Sequence, residues 1–157
     1  MKWKRLHEGE INVSIIDYLE ALIEEGQSLG KKLRVCVGTD SQRAGRGYKY
    51  ASAIVVVTEG NGGMIIYSTE WIKGMPSINE RMLLEVQKSI EISYEIFPLL
   101  DLYDVKLEVH ADINQSPEHD SNKALKAAVG YIQGMGYEFK VKPDAFCAST
   151  CADKLCN

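Results

Sequence analysis

Residues 33–40 read Leu33-Arg34-Val35-Cys36-Val37-Gly38-Thr39-Asp40. Leu33, Val35 and Val37 alternate with Arg34, Cys36 and Gly38, the two-residue period of a strand with one face in a core. The run closes on Asp40, so a carboxylate stands at the C-terminal end of this strand. Open α/β sheets place ligands at such ends, and the rest of the chain can be read outward from this point.

Downstream, Ser41–Gly47 is a polar loop with two glycines, followed by the β-branched run Tyr48–Thr58. Glu59–Gly63 is a strong turn signal ahead of a third strand, Met64–Ile72. Three strands on short loops form an antiparallel meander. Ser77 and Glu80 then stand as N-cap and N3 of a capping box, predicting a helix of about twenty residues that ends near Pro98. Val105–Ile113 is a fourth strand. Ser121–Gln133 is a helix with Leu125, Ala128, Val129 and Ile132 on one face, Tyr137–Lys142 a fifth strand, and Pro143–Cys156 a closing helix. Upstream, Ile11–Leu29 has the three-and-four apolar spacing of an amphipathic helix. The class is α/β. Right-handed crossovers and neighbour pairing leave few sheet orders, one of which sets the first strand mid-sheet, antiparallel to the second and parallel to the fourth.

A chain of 157 residues, 45% hydrophobic and 25% charged, suits a single domain (1–157) and argues against disorder. No apolar run reaches the roughly 20 residues of a membrane span. The opening MKWKRLHEGE lacks the apolar centre of a secretory signal, so the expected location is the cytoplasm. A net charge of −4 argues against indiscriminate nucleic-acid binding. Residues 31–49 nevertheless hold Lys31, Lys32, Arg34, Arg43, Arg46 and Lys49 around the one acid Asp40. Cys36, Cys147, Cys151 and Cys156 form no CxxC pair and are expected to be reduced, mostly buried thiols.

If the first and fourth strands are parallel neighbours, Asp40 and Asp112 lie toward one sheet edge on strands roughly 5 Å apart. Paired carboxylates repel unless a proton or cation relieves them, and hard oxygen-liganded ions such as Mg²⁺ or Mn²⁺ suit that task. Each aspartate could equally start a turn. The crossover helix offers Glu80, Glu85, Glu91 and Glu95. Glu80 is accounted for by the capping box, whereas Glu85 shares a face with Met82, Ser89 and Ile92, where a charge needs a partner.

GTDSQ after a strand, RMLLE in a crossover helix, HADIN closing a strand and ASTCADK near the end resemble the ribonuclease-H-like superfamily, and more narrowly its bacterial YkuK type. The resemblance covers residues 33–157 and leaves 1–32 as an N-terminal helical extension. It implies a five-stranded mixed sheet of order 3-2-1-4-5 with helices on both faces. It also implies a nuclease that hydrolyses phosphodiesters of RNA, DNA or a hybrid with two ions of Mg²⁺ or Mn²⁺. Carried over singly, Asp40 matches the acid that bridges both metals, Glu85 the acid of the crossover helix, Asp112 that of the fourth strand, and Asp153 the variable fourth acid.

Asp153 stands nine residues beyond Asp144, about 13 Å along a helix axis. It therefore reaches the site only if the helix begins late or crosses it; Asp144 is the substitute. The small face Ala145, Ala148, Ser149, Ala152 favours close packing and hence Asp153. Arg43, Arg46 and Lys49 are candidates to grip a phosphate backbone. Trp71 and the tyrosines could stack bases or simply pack. His110 reads as a hydrogen-bonded histidine on the face of Asp112, and His119 as a surface residue. The rival reading is a non-catalytic module that binds nucleic acid or protein on the same fold. A zinc or redox protein built on the cysteines ranks last.

Overall fold

The computed structural model describes residues 1–113 and 122–156. His119, Ser121 and the side chains of Leu125 and Ala128 lie outside the described residues. The elements in chain order are β1 (Lys4–Arg5), β2 (Gly9–Glu10), α1 (Ile15–Ser28), β3 (Leu33–Ala44), β4 (Gly47–Thr58), β5 (Gly62–Lys73), α2 (Ile78–Leu102), β6 (Lys106–His110), α3 (Asn122–Gly134) and β7 (Glu138–Lys140). A π-helical turn, Cys147–Ala152, then runs into α4 (Asp153–Cys156).

The strands form one sheet of order β2-β1-β5-β4-β3-β6-β7. The run β5-β4-β3-β6-β7 is the expected 3-2-1-4-5, and β1 and β2 extend it beyond β5. β3 is antiparallel to β4 and parallel to β6, with Val35 level with Leu107 and Gly38 with His110. The two strands before α1 went unforeseen because two-residue strands carry no alternation to read. They are held by β1 pairing with β5, Lys4 opposite Tyr67, and by the burial of Trp3.

Several boundaries also differ from expectation; the closing helix, expected over Pro143–Cys156, starts only near Cys147 and there as a π-helical turn. β3 continues past Asp40 to Ala44, which pairs with Gly47, so the expected loop Ser41–Gly47 is a strand hairpin closed by Gly45 and Arg46. Gly45 takes the positive φ of 64° that such a tight turn favours in glycine. β6 stops at His110, leaving Asp112 two residues beyond it. α2 runs through Pro98 to Leu102, since Leu99 and Leu100 both bury their side chains and outweigh the lost N–H of the proline.

The two sheet faces are covered differently. Val35, Val37, Ile54, Ile66 and Val109 pack against Leu19 and Ile23 of α1 and Ile92, Ile96 and Leu100 of α2. On the opposite face Cys36, Ala53 and Val55 meet Cys147 and Ala152. Here contact is backbone to backbone. A Cβ on Gly38 would lie 2.5 Å from the nitrogen of Ala148 and 2.8 Å from the carbonyl carbon of Cys147. Ala145, Ala148 and Ala152 are fully buried in the same seam, as their small size allows.

Gly38→Ala should therefore lift the C-terminal segment off β3 and cost on the order of 1–3 kcal/mol of stability. Urea unfolding checks this; a midpoint equal to wild type would mean that the seam is loose.

Candidate active site

The last helix delivers Asp153 to Asp40. With Gly38 as floor, the segment crosses β3 so that the Cys156 thiol donates to the Asp40 carbonyl at 3.2 Å. The Asp40 and Asp153 carboxyls are joined by a side-chain hydrogen bond. Burial above all, then the charge of Asp153, raises the Asp40 carboxyl above its usual range, against a backbone hydrogen bond from Ser41. Asp144 lies exposed in a turn, away from this contact.

Glu85 comes from α2. A chain of hydroxyls docks that helix on β3: Ser89 Oγ donates to Thr39 Oγ1 at 3.0 Å, and Thr39 and Ser52 share a hydrogen bond of 2.9 Å. Glu85 is only 8% exposed and accepts from Ser41 Oγ at 2.5 Å. Burial pushes its carboxyl up to about 7; the Ser41 hydrogen bond opposes this and the Asp40 charge adds to it. Arg81, one helical turn earlier, lies 3.9 Å from Glu85 Oε1 and stacks over Tyr48 at 4.9 Å. It lowers the carboxyls of both Glu85 and Asp40, yet among the described residues its buried Nε has no hydrogen-bond partner.

Asp112 follows the end of β6 and lines a small recess together with Thr39, Glu85 and His110. Lys142 Nζ stands 2.7 Å from its Oδ1, an ion pair without hydrogen-bond alignment, and among the described residues that buried oxygen has no hydrogen-bond partner. Asp40 thus touches Asp153 on one face of β3 and adds its charge to Glu85, which bonds Ser41 on the other face, while Asp112 shares the recess with Glu85 and has a lysine in attendance. Among the described residues these acids do not bring three ligand atoms within 4.8 Å of one another.

Of the basic candidates, Lys49 pairs in register with Gln42, two residues past Asp40, and so shares the Asp40 face. Arg43 pairs with Tyr48 on the other face, and Arg46 sits in the hairpin turn; both are exposed.

Sequence reading missed Arg81 and, beneath the site, Glu108. Arg34 Nη1 donates to Glu108 Oε2 at 2.8 Å, Cys36 Sγ at 3.4 Å, and Lys140 Nζ lies 3.4 Å from Oε1. The Cys147 N–H donates to His110 Nδ1 at 3.2 Å, which leaves Nε2 to carry the proton and donate to Glu108 Oε2 at 2.9 Å. Burial works against the Glu108 charge. Hydrogen bonds from His110 and Cys36, with Arg34 and Lys140, outweigh it and hold the carboxyl down at about 2.

Cys36, Glu108 and His110 bring three ligand atoms within 4.8 Å of one another. Their chemistry is nonetheless that of a satisfied network: the carboxylate is taken by the cations of Arg34, Lys140 and Lys106, and burial first, with Glu108 beside it, pushes the Cys36 thiol up to about 12. His110 borders two residues of the C-terminal seam: it accepts from Cys147 and meets Phe146 edge-on at 4.9 Å. The signal was present in sequence as Glu108 and His110 at strand period, level with Cys36.

A mixed sheet with a parallel strand pair, a crossover helix on one face and the closing segment on the other defines an α/β domain. The chain belongs to the ribonuclease-H-like family, whose model matches residues 15–157 and so takes in α1 as well as the expected core. No curated protein matches it significantly. Among solved structures it is similar to RNase H1 from the halophilic archaeon Halobacterium salinarum NRC-1, at 18% identity and a TM-score of 0.42, over 73% of this chain and 89% of that one. It is also similar to LC11-RNase H1, isolated from compost by a metagenomic approach, at 20% identity and a TM-score of 0.45, over 78% of this chain and 91% of that one.

Because the Glu85 carboxyl is raised from 4.5 to about 7, its neutral form stabilises the metal-free fold fully below pH 4.5, and that contribution is lost as pH rises through 7. Glu85→Gln should stabilise the metal-free protein at pH 8 by up to about 3 kcal/mol and leave it unchanged at pH 4. Denaturant unfolding in chelator at the two pH values reads this; equal stability at pH 8 would show that the Glu85 charge is not strained. Glu108 has the opposite sign: its stabilisation should fade as pH falls from 4.5 toward about 2. In Glu108→Gln that acid-side loss should be much smaller, which acid titration of the circular dichroism signal checks.

Proposed function

We propose that the protein is a metal-dependent nuclease of the YkuK type, acting in the cytoplasm on RNA, DNA or a hybrid. Asp40, Glu85, Asp112 and Asp153 would hold two ions of Mg²⁺ or Mn²⁺. The observation that carries the reading is the Asp40 carboxyl of β3, hydrogen-bonded to Asp153 of α4 and adding its charge to Glu85 of α2, with the carboxyls of Asp40 and Glu85 raised above all by burial. Groups so placed are poorly served by water and by one another. An all-oxygen set of this charge fits a hard divalent cation.

When bound, such ions supply an activated water and charge stabilisation for the departing oxygen. The chain's own residues do the rest. Ser41 fixes the orientation of Glu85 through its hydroxyl. Arg81 partly offsets the acidic charge, and Lys142 neutralises Asp112 until a cation replaces it. Arg43, Arg46 and Lys49 supply positive charge along the hairpin for a phosphate backbone. The Lys142–Asp112 pair is the feature that favours the rival, a nucleic-acid-binding or interaction module in which that lysine substitutes for metal permanently.

Calorimetric titration with Mn²⁺ of wild type and Asp40→Asn separates the two, with cleavage of labelled RNA, DNA and hybrid run in Mg²⁺, Mn²⁺ and chelator. The nuclease should bind Mn²⁺, with affinity falling more than roughly tenfold in Asp40→Asn, and should cleave only with metal. Lack of Mn²⁺ binding both alone and with an oligonucleotide present would sink the nuclease reading in favour of the module.

A further inference from the structure

β3, β4 and β5 outrun the helix that covers them. Register places Gln42, Lys49 and Trp71 on one rung, on the face that carries Asp40, and Lys73 follows Trp71 by two residues on the same face. The C-terminal helix ends at the preceding rung, where Cys156 approaches the carbonyls of Asp40 and Lys49. Beyond it Gln42, Trp71 and Lys73 are exposed.

Trp71 is 52% exposed and yet fixed in orientation. Its Nε1–H donates to the Ala44 carbonyl at 3.0 Å, tying the indole across the ribbon. Gly47 is the floor: a Cβ there would lie 2.8 Å from ring atom Cζ2 and 2.9 Å from Cε2. An aromatic ring needed only for packing would be covered. This one is held against the backbone with half its surface in water. The acid of the same strand, Glu70, is turned to the other face and paired with Lys88 at 2.6 Å. Lys49, Lys73 and the turn residue Arg46 give the ledge a positive rim.

We propose that Trp71 on its Gly47 floor, flanked by Arg46, Lys49 and Lys73, is a stacking platform for a base of single-stranded nucleic acid. Charge complementarity and an immobilised ring face select this occupant: cations take the phosphates and the indole takes a base. Strand spacing puts Trp71 two strands across and two residues along from Asp40, about 12 Å away, the span of three to four nucleotides in a stacked strand. The inference rests on the nucleic-acid reading above and names the part of the ligand that lies beyond the carboxylates.

The test is fluorescence anisotropy of fluorescein-labelled oligothymidylate and oligouridylate in chelator, so that binding is read without metal or turnover. Trp71→Ala should weaken binding roughly 5- to 150-fold, the range of one lost stacking contact. Trp71→Phe should keep most of the affinity, and Lys73→Glu should weaken it with a shallower salt dependence. Intrinsic fluorescence offers an independent readout, since Trp3 is buried and Trp71 should be the residue quenched by the oligonucleotide.

If Trp71→Ala perturbs the fold, Trp71→Phe, Lys73→Glu and the quench decide. Binding unchanged in Trp71→Ala, absence of quenching at saturation, or no binding by wild type would each overturn the platform. Metal-dependent cleavage with unchanged Trp71→Ala binding would remove the platform and leave the nuclease; a Trp71-dependent complex without Mn²⁺ binding would do the reverse.

Discussion

The arrangement depends on a missing side chain. Gly38 lets the C-terminal segment rest on the β3 backbone at a distance no Cβ would tolerate. Everything that segment brings follows from that contact: Cys147 reaches His110, Cys156 reaches the Asp40 carbonyl, and Asp153 meets Asp40. The run Gly38-Thr39-Asp40 thus combines three duties on three successive residues. One yields space, one anchors α2 through hydroxyls, and one presents the carboxylate. Strand alternation makes that division possible, because Gly38 and Asp40 share a face and Thr39 looks the other way.

Two buried acids on this scaffold have opposite fates. Glu108 is ringed by Arg34, Lys140, His110 and Cys36 and stays ionised in the interior. Glu85 has only the hydroxyl and backbone N–H of Ser41 and an arginine at 3.9 Å to oppose its burial, and burial with neighbouring Asp40 lifts it toward neutrality. The difference lies in compensation rather than depth. An acid whose charge the protein fully balances is structural; one left short of balance invites a cation from outside. By that criterion the Cys36–Glu108–His110 group belongs to the framework, although its residue types look more like a metal centre.

The legible and illegible parts of the sequence divide along physical lines. The five strands β3 to β7 could be read because each carries alternation or a β-branched run, and α2 because Ser77 and Glu80 close a reciprocal cap. Asp40, Glu85 and Asp112 could be singled out as charges at places where charge is costly. The length of β3 could not: Ser41–Gly47 is rich in residues that favour loops, and only its pairing with β4 keeps it extended. Arg81 was hidden because a lysine or arginine on a helix reads as solvated until its neighbour is known. Glu108 was hidden because its partners come from β3, β6 and β7, a coincidence that only register creates.

The same extension of β3 that sequence reading mistook for a loop changes what the basic residues can do. On a flexible loop Arg43, Arg46 and Lys49 would act as interchangeable charges. In a paired ribbon they are sorted: Lys49 is aligned with Asp40, Arg43 faces away with Tyr48, and Arg46 caps the turn. A rigid ribbon also gives Trp71 a backbone to lie on, through the Ala44 carbonyl and Gly47. Orientation fixed before binding means that little side-chain freedom remains to be lost when a ligand arrives. A ledge built this way would set the path of a strand entering the acidic edge, and with it which bond reaches the carboxylates.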